Sequence, residues 1–264
     1  MNLKLIGKTA LVTGSTAGIG LAVAESLVGE GASIILNGRT QERVEGAVQT
    51  VKSGVDNARV SGVVADLSTA EGAQKIIDGI PEVDILVNNV GIFGLKPFEE
   101  ITDEDWLGIF QANVMSGVRL SRHYLPRMKE KNWGRVVFIS SESAINIPVE
   151  MIHYGMTKAA QLAVSRGMAE TTAGSQVTVN SVLPGPTASE GASKFVEEMA
   201  KENNITKEEA EKQFFETARP SSLTKRFSST KEIGDFVAFV CSPLAASING
   251  AALRIDGGVV KSMV

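Results

Sequence analysis

Tyr154 and Lys158 stand four residues apart. On a helix that spacing sets both side chains on one side. A free phenol has a pKa of about 10 and is a poor base at neutral pH. A neighbouring positive charge favours the phenolate and lowers that value. Such a phenol could give a proton to a carbonyl oxygen or take one from an alcohol. Ser141 lies 13 residues before the tyrosine and could hydrogen-bond the same oxygen and fix its position. Asn113 is a further polar candidate. Taken singly, the Tyr–Lys pair reads as a surface pair, Ser141 as a strand cap and Asn113 as a polar helix position. The chemistry therefore depends on elements that bring all four together.

Those elements follow from the hydrophobic pattern. Short β-branched runs at 8–13, 33–36, 60–64, 84–87, 135–140, 177–182 and 251–255 predict seven strands. Amphipathic stretches at 19–28, 41–52, 70–77, 103–130, 152–172 and 231–241 predict the helices between them. Strands apolar throughout indicate a sheet covered on both faces, hence parallel strands. Regular alternation with right-handed crossovers then leads to an α/β doubly wound parallel sheet of about seven strands, a Rossmann architecture. One domain over residues 1–264 is expected. The stretch 187–230 breaks the alternation with two helices, near 192–202 and 207–217, the second opened by a Thr206/Glu209 capping box. Its place after a strand's carboxyl end predicts a helical lid over a substrate pocket. Strand alternation also sets Ser140 on the face opposite Ser141.

The first strand runs into Thr13-Gly14-Ser15-Thr16-Ala17-Gly18-Ile19-Gly20, which opens the first helix. Glycines there allow a tight turn and close approach to a pyrophosphate, and the helix start offers unpaired N–H groups. This TGxxxGxG spacing resembles that of the short-chain dehydrogenase/reductase family. Asn88-Asn89-Val90-Gly91 resembles the family's NNAG, with Val90 in place of alanine. Tyr154-Gly155-Met156-Thr157-Lys158 is its YxxxK. Asn180 to Thr187 resembles the stretch after strand six that meets the nicotinamide, and Asp256-Gly257-Gly258 its carboxyl-terminal signature. The resemblance covers about residues 8–258 and is nearest the 3-oxoacyl-carrier-protein reductase-like branch. It implies a hydride transfer between NAD(P) and a carbonyl or alcohol, with Tyr154 as general acid/base, Lys158 also holding the nicotinamide ribose, and Asn113 supporting a water-linked proton path. It further implies cofactor contacts from Gly14, Ser15, Thr16, Gly18, Ile19, Gly20, Asn89, Gly91, Pro184, Gly185 and Thr187.

The second strand ends Leu36-Asn37-Gly38-Arg39 without the acid that an NAD site usually places there to take ribose hydroxyls. Arg39 suits the extra phosphate of NADP and can stack on adenine. NADP is therefore the expected cofactor, with NAD the alternative. Asp66-Leu67 resembles the pair that contacts adenine, and read alone is a helix cap. Expected pocket residues are Phe93, Glu142, Ser143, Asn146, Met151, His153, Pro186 and Phe195. A hydroxyl-rich or amine-bearing substrate could use Glu142, and His153 reads as a wall residue.

Composition narrows the partners. The formal net charge is −4, with Lys and Arg scattered, so nothing points to nucleic acid or an anionic membrane. One cysteine, Cys241, excludes an intrachain disulfide, and two histidines leave no metal-ligand spacing. No apolar run has signal-peptide or membrane-spanning length, so a cytoplasmic protein is expected. Small and apolar residues at Ala159, Ala160, Leu162, Ala163 and Gly167 suit close packing, and the resemblance implies a homotetramer. A non-catalytic dinucleotide-binding or regulatory protein on the same fold is the second reading, and the complete set of Asn113, Ser141, Tyr154 and Lys158 weighs against it.

Overall fold

A computed structural model describes residues 2–263. The chain runs β1 (Thr9–Val12), α1 (Gly18–Gly29), β2 (Ser33–Gly38), α2 (Gln41–Gly54), β3 (Val60–Val64), α3 (Ala70–Gly79) and β4 (Ile85–Asn88). It continues through α4 (Asp103–Phe110), α5 (Ser116–Glu130), β5 (Gly134–Ile139), α6 (Ile152–Glu170) and β6 (Val177–Pro184). Two helices follow, α7 (Glu190–Asn203) and α8 (Lys207–Thr217), then α9 (Thr230–Val240) and β7 (Ala252–Ile255). The strands form one sheet in the order β3-β2-β1-β4-β5-β6-β7, and every pair is parallel. Order reverses between β1 and β4, so a crevice opens at the carboxyl ends of those two strands.

Each face of the sheet is covered. Val12, Val23, Leu27, Ile34 and Val237 belong to one buried cluster; Leu11, Leu86, Leu120, Tyr124 and Phe138 belong to the other. Leu11 and Val12 are consecutive and go to opposite sides, as strand geometry requires. All residues of β5 and β6 are buried, which is why these segments read as unbroken apolar runs.

One expected element is different. The helix anticipated over 103–130 is broken by a π-helical turn at Gln111–Met115. There the Asn113 carbonyl accepts from Gln161 Nε2 at 2.6 Å. An acceptor committed to a neighbouring helix suits the wider turn. The sixth strand is also longer than expected and carries Asn180 to Pro184 to the sheet's carboxyl edge.

The helical excursion is tied down at both ends. Thr187 bridges to Ser228, and the Gly257 carbonyl accepts from the amides of Leu223 and Thr224. The Thr206/Glu209 capping box is formed. Val196, Ala200 and Ala210 make a small core of their own, with Phe195, Met199, Ile205 and Phe227 packed on it.

Candidate active site

A groove of about 820 Å³ lies at the switch point. Gly14, Thr16, Asn89 and Gly91 form one part of its wall; Arg39, Arg43, Asp66 and Leu67 form another. The glycine turn is held from below by a polar net. Thr13 Oγ1 accepts from the amides of Asn89 and Val90, and Asn89 Nδ2 donates to the carbonyls of Thr13 and Gly14 at 3.0 Å. Gly14 and Gly18 have φ of 59° and 57°, a left-handed backbone that favours glycine. At Gly20 a Cβ would stand 2.5 Å from Asn89 Nδ2 and 2.6 Å from the Gly14 carbonyl. The tight turn therefore requires glycine there.

Not every expected cofactor residue faces this groove. Ser15 is fully buried: its Oγ donates to the Val12 carbonyl, accepts from Asn37 N, and its own amide donates to the Asn37 carbonyl. It serves as a rivet between β1 and β2. Ile19 packs against the core. Pro184 ends β6, buried, while Gly185 and Thr187 line a second cavity. Gly185 has a packing reason, since a Cβ there would meet the Asp256 carbonyl at 2.5 Å. The Asp256 carboxylate in turn accepts from the amides of Gly258 and Val260.

Arg43 was not anticipated. It sits in the first turn of α2 and shares the groove wall with Arg39. It also pairs with Glu190 of α7 at 3.5 Å. Its signal was present, because Arg43 falls in the first helical turn beyond a Thr40 cap, just after the end of β2. Arg39 also lowers the pKa of Asp66, although the hydrogen bonds from Ser68 lower it more.

The second cavity, about 320 Å³, carries Ser141 and Tyr154 on its wall. Lys158 is buried near Tyr154 of this cavity and Gly91 of the groove. Its Nζ donates to the Ile139 carbonyl at 2.8 Å and reaches Gln161 Oε1 at 3.4 Å. It stands 5.5 Å from the Tyr154 ring centroid, and a Cβ added to Gly91 would be 3.4 Å from it. Asn113 spends its amide locally: Oδ1 accepts from Ile92 N at 2.7 Å, and Nδ2 donates to the Ile92 carbonyl and to Thr157 Oγ1, both at 2.9 Å. It thus clamps the loop after β4 onto α6. Ser140 Oγ donates to the Lys158 carbonyl.

The electrostatics correct one expectation. Burial pushes the Tyr154 phenol up to about 12, against a hydrogen bond from Ser141 that lowers it, so the ligand-free site does not favour the phenolate. Burial also brings Lys158 down to about 7. Both groups disfavour their charged forms in the ligand-free protein. The phenol is held in its protonated form.

Among the expected pocket residues, Phe93, Glu142, Ser143, Met151, Pro186 and Phe195 line this cavity. Asn146 and His153 do not. Asn146 is exposed on the surface. His153 is buried edge-on against Trp106 with ring centroids 5.9 Å apart, on the α4 side of α6. Phe93 meets the Tyr154 ring edge-on at 6.0 Å. Sequence reasoning missed Phe214, Phe227 and Arg219, which reach the cavity from the helical excursion. No strand or motif marks these positions; the fold of the excursion brings them in.

A parallel sheet with a glycine-lined groove at its switch point, and a Tyr–Lys–Ser constellation beside it, defines a dinucleotide-dependent oxidoreductase. Comparison with known proteins gives the family. The family model for short chain dehydrogenase matches residues 8–200, and the chain belongs to that family. It is 48% identical to the uncharacterized oxidoreductase YvaG of Bacillus subtilis, with both chains covered in full. It is 33% identical to the 3-oxoacyl-acyl-carrier-protein reductase FabG of Aquifex aeolicus, covering 98% of this chain and 100% of that one. Among solved structures, L-sorbose reductase from Gluconobacter frateurii, complexed with NADPH and L-sorbose, superposes with a TM-score of 0.93 at 31% identity over the whole of both chains.

Proposed function

We propose that the protein reduces a carbonyl compound with NADPH, Tyr154 giving the proton to the carbonyl oxygen. The observation that carries this reading is the position of the Tyr154 phenol, on the cavity wall with Ser141 and against the buried Lys158 amine beside Gly91. The groove suits a dinucleotide: the glycine turn leaves backbone room for a pyrophosphate, and Arg39 and Arg43 flank the end of β2 without a carboxylate at position 37 or 38. Bound NADPH supplies the hydride. Ser141 holds the reacting oxygen, Tyr154 protonates it, and Lys158 binds the ribose and offers the next proton. Asn113 keeps the Ile92 loop and Thr157 in register, which holds Tyr154 and Lys158 in place. Run in reverse, the same phenol takes a proton from an alcohol once a cationic nicotinamide favours its ionised form.

Supporting NADP over NAD are the two arginines and the NADPH present in the L-sorbose reductase structure. Residues 187–230 act in this reading as a lid, with Phe195, Phe214 and Phe227 as its inner face. The chain works as one dinucleotide-binding and catalytic domain, in the cytoplasm, as a homotetramer. The exposed Leu107 of α4 and the exposed small residues Ala163 and Gly167 of α6 support assembly through these helices. No helix among the described residues is long and apolar enough to cross a membrane.

Replacing Tyr154 with Phe should reduce kcat by about a hundredfold or more while leaving the Kd for NADPH within about twofold. Full turnover in Tyr154→Phe contradicts the assignment. The Arg39→Ala/Arg43→Ala variant should raise KM for NADPH by about tenfold or more and leave KM for NADH little changed. Equal loss for both cofactors contradicts recognition of the extra phosphate. Light scattering should return a mass near four chains; a monomer's mass contradicts the proposed assembly.

A further inference from the structure

Glu142 directly follows Ser141, and its side chain is only 4% exposed. Its Oε1 accepts from Arg219 Nε at 2.8 Å and from Ser143 Oγ at 3.4 Å. Its Oε2 is buried and has no hydrogen-bond partner among the described residues. Arg219 comes from the end of the helical excursion, is 9% exposed, and spends another donor on the Ala218 carbonyl. Glu142 and Arg219 line the same cavity as Ser141 and Tyr154, and the charges of both are felt at the Tyr154 phenol. The rest of that wall is largely apolar, with Phe93, Met151, Pro186, Phe195, Phe214 and Phe227.

A buried carboxylate oxygen without a donor is costly, and native structures rarely leave one. Glu142 lines the cavity that holds Ser141 and Tyr154, which points to a donor brought by the substrate. The charge balance narrows that donor's carrier. Arg219 is the only Lys or Arg among the described residues lining the cavity, and Glu142 already neutralises it; Glu150 adds a second acid to the same wall. A substrate carboxylate would meet no free cation there and one uncompensated acid. The apolar remainder calls for a hydrocarbon body at the other end.

We propose that the cavity selects α-hydroxy ketones with an apolar body, the hydroxyl donating to Glu142 Oε2 while the neighbouring carbonyl oxygen sits at Ser141 and Tyr154. This rests on the carbonyl reduction proposed above. In the reaction the ketone carbon gains the hydride, its oxygen gains the Tyr154 proton, NADPH ends as NADP, and the product is a vicinal diol. Glu142 is then a specificity-determining residue, and Arg219 the positioning residue that fixes its carboxylate.

Three probes share one skeleton and differ beside the carbonyl: benzylacetone, its α-hydroxy derivative and the corresponding α-keto acid. The wild-type protein should prefer the hydroxy ketone over benzylacetone by about tenfold or more in kcat/KM and use the keto acid least. Glu142→Leu/Arg219→Met removes both charges together, a replacement that buried pairs tolerate better than loss of one partner. It should bring the hydroxy-ketone preference to within about threefold of unity. Glu142→Gln keeps the shape and frees the arginine's charge, so keto-acid reduction should rise relative to hydroxy-ketone reduction by about tenfold. The proposal is overturned if wild type treats the first two probes alike, if the double variant keeps the preference, or if Glu142→Gln leaves the keto-acid ratio unmoved. Turnover of other carbonyls that needs Tyr154, with none of the three probes used, overturns it and spares the reductase reading. Failure with every carbonyl offered overturns both.

Discussion

A lysine amine sealed inside the protein sets the terms for everything around it. Lys158 Nζ has the Ile139 carbonyl and Gln161 for company and no carboxylate partner among the described residues. A cation in that position is expensive, and its pKa falls accordingly. The structure keeps the amine there by surrounding it with fixed dipoles: the end of β5, the side chain of Gln161 and, behind it, the Asn113 carbonyl of the π-helical turn, which accepts from Gln161. The same burial holds the Tyr154 phenol in its protonated form. In the proposed reaction, that is the form which gives a proton to a carbonyl.

The framework that supports this pair was largely legible in the sequence. Apolar runs identify β5 and β6 because both are covered on two faces. The glycine turn is legible because Gly14, Gly18 and Gly20 each answer to a backbone constraint that no other residue meets at low cost. The YxxxK spacing is legible because a helix repeats its faces. The π-helical turn was not, since the hydrogen bond that Gln161 makes to it comes from 48 residues further on. Likewise Ser15 looks like a phosphate ligand by position, yet a hydroxyl one strand away from Asn37 is more useful as a tie. Arg219 belongs to the same class: a lone arginine after a helix has no local mark of the buried acid it meets.

Electrostatic expectation failed in an instructive way. Helical spacing correctly brings Lys158 near Tyr154, and a nearby ammonium does lower a phenol's pKa. Spacing says nothing about how dry the site is. Here burial raises the phenol's pKa and lowers the amine's, so both groups resist charge. Glu142 and Arg219 of the second cavity add to this balance, so the chemistry of the wall and the ionisation of Tyr154 are linked.

The chain has two tyrosines, which makes the central claim measurable. In a Tyr124→Phe variant, ultraviolet difference absorbance reports ionisation of Tyr154 alone. Without cofactor, little tyrosinate should form at about pH 10, where a free phenol is half ionised; oxidised NADP should bring ionisation to lower pH by adding a positive ring. A midpoint at the free-phenol value in the cofactor-free protein, or no movement with oxidised NADP, would contradict the account.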